Sequence, residues 1–229
     1  MADGAPEPVA VYRETRARVG ELVVGLDADA VRTPVPACPG WSVQDVVSHM
    51  VGIIADLQDG RLDGVGTDAW TLAQVTARRD LPIADVVAEW NRRGPVFEEQ
   101  VATWPPSVAA QLVSDAAMHE LDIRAALGDA GARDTHGVAI ALDYYGRKLG
   151  DRITEAGLGA LMLELASGTV TLGEGDPAAT VRAPDFEALR AMGGRRNADQ
   201  MRALDWTGDA EPYVALMSSY GSREEPLVE

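Results

Sequence analysis

The sequence predicts a mainly α-helical protein: a helical bundle over residues 1–155, followed by a small α+β domain over residues 156–229. In the first two-thirds of the chain, apolar residues recur at helical spacing, and these segments are separated by Pro and Gly. Beyond Gly157, short β-prone runs alternate with turns rich in Gly, Ser and Asp. A succession of helices followed by clustered strands is typical of two differently built parts.

The helical segments follow one another with clear boundaries. Ser42 is a predicted N-cap with Asp45 three residues later, which is close to a capping box. Gly128 suits the end of a long helix, and Pro95 predicts a kink within one. The helices are predicted over residues 9–26, 43–57, 82–104, 105–127, 136–153, 185–192 and 210–220, with loops at 34–41 and 59–68. Strands are predicted over residues 161–165, 169–172 and 179–182.

The charge and the cysteine content exclude several classes of protein. The chain has 229 residues and a net charge of -16, which argues against binding to nucleic acid or to an anionic membrane. A single cysteine, Cys38, excludes an internal disulfide. We expect no signal peptide, because residues 1–6 lack a basic region followed by an apolar run, and no transmembrane helix, because no apolar stretch is long enough. We therefore expect a cytoplasmic protein, either a monomer or a homodimer.

Two of the three histidines lie at the edge of an apolar helix face. His49 borders the face of its helix, and His119 borders the face of another. Asp115 precedes His119 by four residues, so the two side chains lie one turn apart on the same strip. A carboxylate and an imidazole at this spacing can chelate one ion, and a histidine from a neighbouring helix can complete a three-ligand site with an open position.

The same pattern leaves alternatives open. A histidine at a helix edge often forms only local hydrogen bonds, and His136 is expected to be an exposed or capping residue. Glu120 is a rival or additional carboxylate ligand. Asp122 could orient His119 from the second shell of a metal site, or pair with an arginine. Cys38 is expected to be a small packed residue in a turn rather than a reactive thiol.

Three blocks of the sequence resemble one known family. Residues 38–52, CPGWSVQDVVSHMVG, are similar to the N-terminal signature of the mycothiol-dependent maleylpyruvate isomerase family. Residues 115–128, DAAMHELDIRAALG, are similar to the family's second block, in which a glutamate usually stands at the position of Asp115. Residues 193–196, GGRR, and residues 204–209, LDWTGD, resemble its sterol-carrier-like C-terminal domain.

The resemblance implies a DinB-like four-helix bundle that binds a divalent metal, with zinc as the expected ion. The family's metal ligands fall on His49, Asp115 and His119, and its functional arginine falls on Arg195. The implied activity is that of a mycothiol-dependent isomerase or thiol S-transferase, in which the metal activates the thiol toward an electrophilic small molecule. The alternative is a non-catalytic protein of stress response or sequestration that binds a metal or a small ligand on the same scaffold.

Overall fold

The computed structural model describes residues 7–229, so the prediction about a signal peptide in residues 1–6 lies outside the described residues. The described chain divides into two compact units between Ala132 and Arg133. The first unit contains five α-helices, α1 to α5 in chain order, and one short 3₁₀ helix at Ala30–Arg32. These α-helices are Pro8–Val23, Val43–Asp59, Asp68–Thr76, Ile83–Val101 and Pro106–Ala126.

Four of these helices form a bundle. Helix α1 packs against α4 and α5, and α2 packs against the same two helices. The interior of this bundle is apolar, and it includes Trp90 and Phe97 of α4 and Ile54 of α2. The short helix α3 packs beside α2. The prediction of a helical bundle is therefore confirmed, while α3 is an element that the sequence reading missed.

The sequence places the start of α2 where the structure has it, and the helix runs on to Asp59, two residues beyond its predicted end. Ser42 accepts a hydrogen bond from the Asp45 backbone N–H, and the Asp45 carboxylate accepts one from the Ser42 backbone N–H. These two bonds satisfy helix N–H groups that have no partner within the helix. Gly60 ends the helix in the left-handed conformation, with a φ of 71°. The predicted capping box is thus confirmed.

The second unit is a small α+β structure. Its helices are α6, His136–Glu155; α7, Asp185–Met192; α8, Ala198–Arg202; and α9, Glu211–Met217. Its strands are β1, Ala160–Leu165; β2, Gly168–Leu172; β3, Pro177–Arg182; and β4, Asp205–Thr207. They form one sheet in the order β2-β1-β3-β4, in which β1 and β3 are parallel and the outer pairs are antiparallel.

Helix α6 belongs to the second unit by its contacts. It packs against β1, β2, α7 and α9. The sequence predicts a domain boundary near residue 155, which would place α6 with the bundle. This domain boundary stays a prediction. The fold class, a helical bundle followed by a small α+β part, is confirmed. Within residues 7–229, no helix is long and apolar enough to cross a membrane.

Candidate metal centre

Helices α2 and α5 carry the side chains that the sequence selected as metal ligands. His49 lies on the second turn of α2, which the Ser42 capping box starts. Asp115 and His119 lie one turn apart in the middle of α5. Because α2 and α5 pack against each other in the bundle, His49 and His119 face each other, with ring centroids 5.3 Å apart and nearly perpendicular planes.

The three predicted ligands converge. One ligand atom from each of His49, Asp115 and His119 lies within 4.8 Å of the corresponding atoms of the other two. The Nε2 atom of His119 is 3.7 Å from a carboxylate oxygen of Asp115. Both histidines are buried, whereas 37% of the Asp115 side chain is exposed. The group is therefore reached from solvent on the side of Asp115.

Asp122 fixes the orientation of His119. Its carboxylate oxygen is 3.1 Å from His119 Nδ1, and the Asp122 side chain is fully buried. The Cys38 thiol also donates a hydrogen bond to this carboxylate, at 3.4 Å. Since an ionised carboxylate only accepts, Nδ1 of His119 carries a proton, and Nε2 is the atom turned toward Asp115 and His49. A histidine held by a carboxylate in this way is a common arrangement at metal sites.

Gln74 of α3 fixes the orientation of His49. The Nδ1 atom of His49 is 2.8 Å from Gln74 Oε1, and the Gln74 amide nitrogen donates to a carboxylate oxygen of Asp56 at 2.7 Å. Arg61 donates to the other oxygen of Asp56 at 2.6 Å. On its other side, His49 contacts Trp41 edge to face, with ring centroids 5.3 Å apart. His49 is thus held both by a hydrogen bond and by packing.

The two histidines have opposite pKa shifts. Burial lowers the pKa of His49, and the opposing charge of Asp115 does not offset this effect. Burial also disfavours the charged form of His119, but the charge of Asp115 and the hydrogen bonds with Asp122 and Cys38 outweigh it. The pKa of His119 is therefore raised well above its usual value. These shifts favour the neutral form of His49 and the protonated form of His119.

A second group of side chains also has the spacing of metal ligands. Cys38 Sγ, His119 Nδ1 and an oxygen of Asp122 lie close together, with the thiol 3.9 Å from the imidazole nitrogen. This group shares His119 with the first one. The thiol and the imidazole both contact the same oxygen of Asp122. This group is therefore a hydrogen-bonded network that supports His119 from the side of Nδ1.

The other candidate residues lie elsewhere. Glu120 is buried and accepts hydrogen bonds from Arg18 of α1 and from Arg124, one turn further along α5. His136 is exposed at the first turn of α6. Arg195 lies in the second unit, where its guanidinium donates to the carbonyl of Gly193 at 2.7 Å. The structure thus brings together His49, Asp115 and His119, and Glu120 is held by arginines instead.

Sequence reasoning missed Gln74 and Asp56. One signal could have pointed to them, because Gly52 stands inside α2 one turn after His49, where a glycine is unfavourable for the helix. A Cβ atom at position 52 would lie 2.4 Å from the Cβ of Gln74. A glycine inside a helix often marks the close approach of another element. Here that element is α3.

The donor set suits a divalent transition metal. Two imidazole nitrogens and one carboxylate oxygen match the ligands that Zn²⁺ prefers, and three protein ligands leave one position for water or substrate. Histidines whose second nitrogen is fixed by a hydrogen bond complete the resemblance to known metal centres. The fold and the site together define a four-helix-bundle protein with a candidate metal centre between two of its helices.

Comparison with known proteins identifies the family. The sequence model of the mycothiol maleylpyruvate isomerase N-terminal domain matches residues 12–139, more than half of the chain, and the protein belongs to this family. A crystal structure of the mycothiol-dependent maleylpyruvate isomerase matches with 11% identity and a TM-score of 0.58, covering 82% of this chain and 88% of that one.

A second crystal structure supports the same fold. It is a histidine-to-alanine mutant of the mycothiol-dependent maleylpyruvate isomerase, with 10% identity and a TM-score of 0.60, covering 96% of this chain and 95% of the other. At this identity, the two structures show a shared fold. No curated protein matches the chain.

Proposed function

We propose that this protein is a mycothiol-dependent metalloenzyme, an isomerase or a thiol S-transferase, whose divalent metal is held by His49, Asp115 and His119. The observation that carries the proposal is the convergence of these three side chains within 4.8 Å in a chain of the mycothiol maleylpyruvate isomerase family. Zinc is the proposed ion because the donors are two imidazoles and one carboxylate. Asp115 is shorter than the glutamate of the family pattern, but its carboxylate lies 3.7 Å from His119 Nε2.

Each residue has a defined task in this proposal. His49 and His119 present Nε2, because Gln74 and Asp122 occupy their Nδ1 atoms. Asp115 supplies a negative charge at the solvent-accessible side of the site. When bound there, a divalent cation lowers the pKa of a coordinated thiol and so provides a thiolate nucleophile at neutral pH. The buried walls of the site exclude water from the other sides of the histidines.

The two proposed reactions differ in what happens to the thiol. In an isomerase, the sulfur adds to one carbon of a conjugated double bond, and the electron pair of that bond moves toward a carbonyl. Rotation about the resulting single bond and expulsion of the thiolate restore the double bond, so no thiol is consumed. In a transferase, the neighbouring carbon takes up a proton, and the thioether remains as product. Measuring both substrate isomerisation and thiol loss separates the two reactions.

Arg195 is proposed to bind a carboxylate of the substrate. Its planar, permanently charged guanidinium can form two parallel hydrogen bonds with a carboxylate. Its assignment comes from the resemblance of residues 193–196 to the family's C-terminal segment. Replacing Arg195 with Lys should raise KM for a carboxylate-containing electrophile more than it lowers kcat, since a lysine keeps the charge and loses the paired geometry.

The test compares two histidine variants. Metal content of the purified wild-type protein, His49→Ala and His136→Ala is measured, and each protein is assayed with mycothiol and a panel of electrophiles. We expect one metal per chain in the wild type and in His136→Ala, which is exposed and lies in the second unit. His49→Ala should lose both the metal and the thiol-dependent reaction. Stoichiometric metal without any thiol-dependent reaction would refute the enzyme and favour the metal-binding alternative.

The metal-binding alternative has less support in the structure. A non-catalytic site is usually closed by a fourth protein ligand. Glu120 was the residue that could have filled this position, but it is paired with Arg18 and Arg124. The exposed side of Asp115 also suits a site that admits a small molecule. We therefore favour the enzyme.

A further inference from the structure

A chain of hydrogen bonds leads from the candidate metal centre to the surface of the first unit. It runs from His49 on α2 to Gln74 on α3, then to Asp56, which lies two turns after His49 on α2, and ends at Arg61. The three contacts measure 2.8, 2.7 and 2.6 Å. Gln74 is buried, and 55% of the Arg61 side chain is exposed.

The direction of every bond in this chain is set from the Arg61 end. Arginine can only donate, so Asp56 accepts from Arg61 with one carboxylate oxygen, and its other oxygen accepts from the amide nitrogen of Gln74. The carbonyl oxygen of Gln74 then faces His49 and accepts the proton of Nδ1. A neutral imidazole carries one proton, so its Nε2 must have a free lone pair. That lone pair is the one that a metal ion requires.

We propose that Gln74 is a positioning residue that holds His49 in the metal-binding tautomer, and that Asp56 and Arg61 set the direction of its amide. This inference rests on the proposed function, because it assigns a metal to His49. It differs from the support of His119, where a carboxylate contacts the imidazole directly. For His49, the carboxylate of Asp56 acts through the side-chain amide of Gln74. The amide must therefore point its oxygen toward His49 for the imidazole to keep its proton on Nδ1. Gly52 makes the arrangement possible by leaving room for Gln74.

The decisive variant changes one atom, three side chains away from the metal. In Asp56→Asn, Arg61 keeps the side-chain oxygen as its acceptor, and the new NH₂ group faces Gln74. Gln74 must then turn its oxygen toward residue 56 and its NH₂ group toward His49. His49 Nδ1 becomes an acceptor, and the proton moves to Nε2, where it blocks metal binding. We expect the affinity for zinc to fall about 10- to 100-fold, as is typical when a partner of a metal ligand is lost.

A double variant should reverse this effect. In Asp56→Asn combined with Gln74→Glu, the NH₂ group at position 56 donates to the new carboxylate, whose other oxygen accepts from His49 Nδ1. The net charge equals that of the wild type, and the tautomer should return with most of the zinc affinity. A merely structural role would not predict this rescue, because the double variant carries more changes than the single one.

Asp59→Asn is the matched control. Asp59 lies on the same helix and also pairs with Arg61, at 2.8 Å, and its other oxygen pairs with Arg93. The same substitution there removes a carboxylate from Arg61 without reaching Gln74. Zinc affinity and the His49 tautomer should match those of the wild type.

Two measurements decide the proposal. The tautomer of His49 is read in metal-free protein by ¹⁵N NMR of the three histidine side chains, at a pH where His49 is neutral. Zinc affinity is measured by competition with a chromophoric chelator. A proton on Nδ1 in the wild type, on Nε2 in Asp56→Asn and again on Nδ1 in the double variant is the expected result.

Other outcomes overturn the proposal or separate it from the proposed function. A wild-type protein with the proton on Nε2 overturns it, as does an Asp56→Asn variant that binds zinc with wild-type affinity. If the wild type binds no zinc, the proposed function fails, while the tautomers still decide the role of Gln74. If Asp56→Asn does not fold, the wild-type tautomer and the double variant decide.

Discussion

At Gly52, α2 leaves no room for a side chain beside Gln74, and Gly52→Ala tests this packing without changing a proposed metal ligand. The added Cβ would lie 2.4 Å from Gln74 Cβ and 2.6 Å from Gln74 Cγ. Ordinary contacts of such an atom begin near 3.4 Å. Because the atoms it meets lie at the base of the Gln74 side chain, rotation of that side chain cannot relieve the clash. Helix α3 must therefore move away from α2.

The size of this displacement determines the expected effect. To lengthen the distance between the added Cβ and Gln74 Cβ from 2.4 Å to 3.4 Å, Gln74 must move away from α2. A shift of that size takes the Gln74 carbonyl oxygen, which is 2.8 Å from His49 Nδ1 in the wild type, beyond hydrogen-bonding distance. We expect zinc affinity to fall about 10- to 100-fold, because His49 loses the group that orients it. Overpacking costs about 1–3 kcal/mol, and alanine regains about 1 kcal/mol of helix propensity, so the free energy of unfolding should fall by up to about 2 kcal/mol.

Gly20→Ala is the matched control for this experiment. Gly20 is also buried within a helix, α1, but a Cβ there meets only Val87 Cγ1, at an ordinary 3.5 Å. This variant should gain about 0.5–1 kcal/mol of stability and keep its zinc affinity. Urea unfolding and chelator competition measure both quantities for both variants. If Gly52→Ala were as stable as Gly20→Ala and bound zinc as tightly as the wild type, the argument about Gln74 would be refuted.

Two further predictions concern charged groups beside the site. Burial raises the pKa of Asp45, but hydrogen bonds from Ser42 and Arg79 lower it below the usual value. Its carboxylate therefore stabilises the fold above about pH 4 and loses this effect as the pH falls through its folded pKa. Urea unfolding should show Asp45→Asn about 1 kcal/mol less stable at pH 7, with the difference shrinking toward pH 3; a constant difference would contradict this. Glu120→Gln should keep one metal per chain but lose about 1–3 kcal/mol of stability, because a buried carboxylate between two arginines is removed; loss of metal would instead make Glu120 a ligand.

Much of the fold could be predicted because its signals are local. The Ser42 capping box, the left-handed Gly128 after α5 and the short β-prone runs of β1 to β3 each involve residues close in sequence. Helix α3 was not predicted because its nine residues lack a strong apolar stripe, and of its two buried residues, Gln74 and Val75, only Val75 is hydrophobic. The short β4 and α8 likewise offer too few residues for a periodic pattern.

The same distinction between local and distant contacts applies to the site. Asp115, His119 and Asp122 lie on one helix at spacings of four and three residues, so their contacts could be anticipated from helix geometry. Gln74 lies 25 residues after His49 on another helix, and no spacing rule connects them. The sequence could therefore indicate which side chains might bind a metal, while the group that orients His49 became apparent only in three dimensions.

The two histidines also differ in what a metal must displace. Burial works against a charge on His119, but Asp115, Asp122 and Cys38 raise its pKa well above the usual value, which favours the protonated form. His49 is neutral, because burial lowers its pKa. A proton on His119 Nε2 thus occupies the position that we assign to the cation, next to Asp115. We therefore expect a divalent metal that binds here to replace this proton, so that zinc binding releases a proton and weakens as the pH falls.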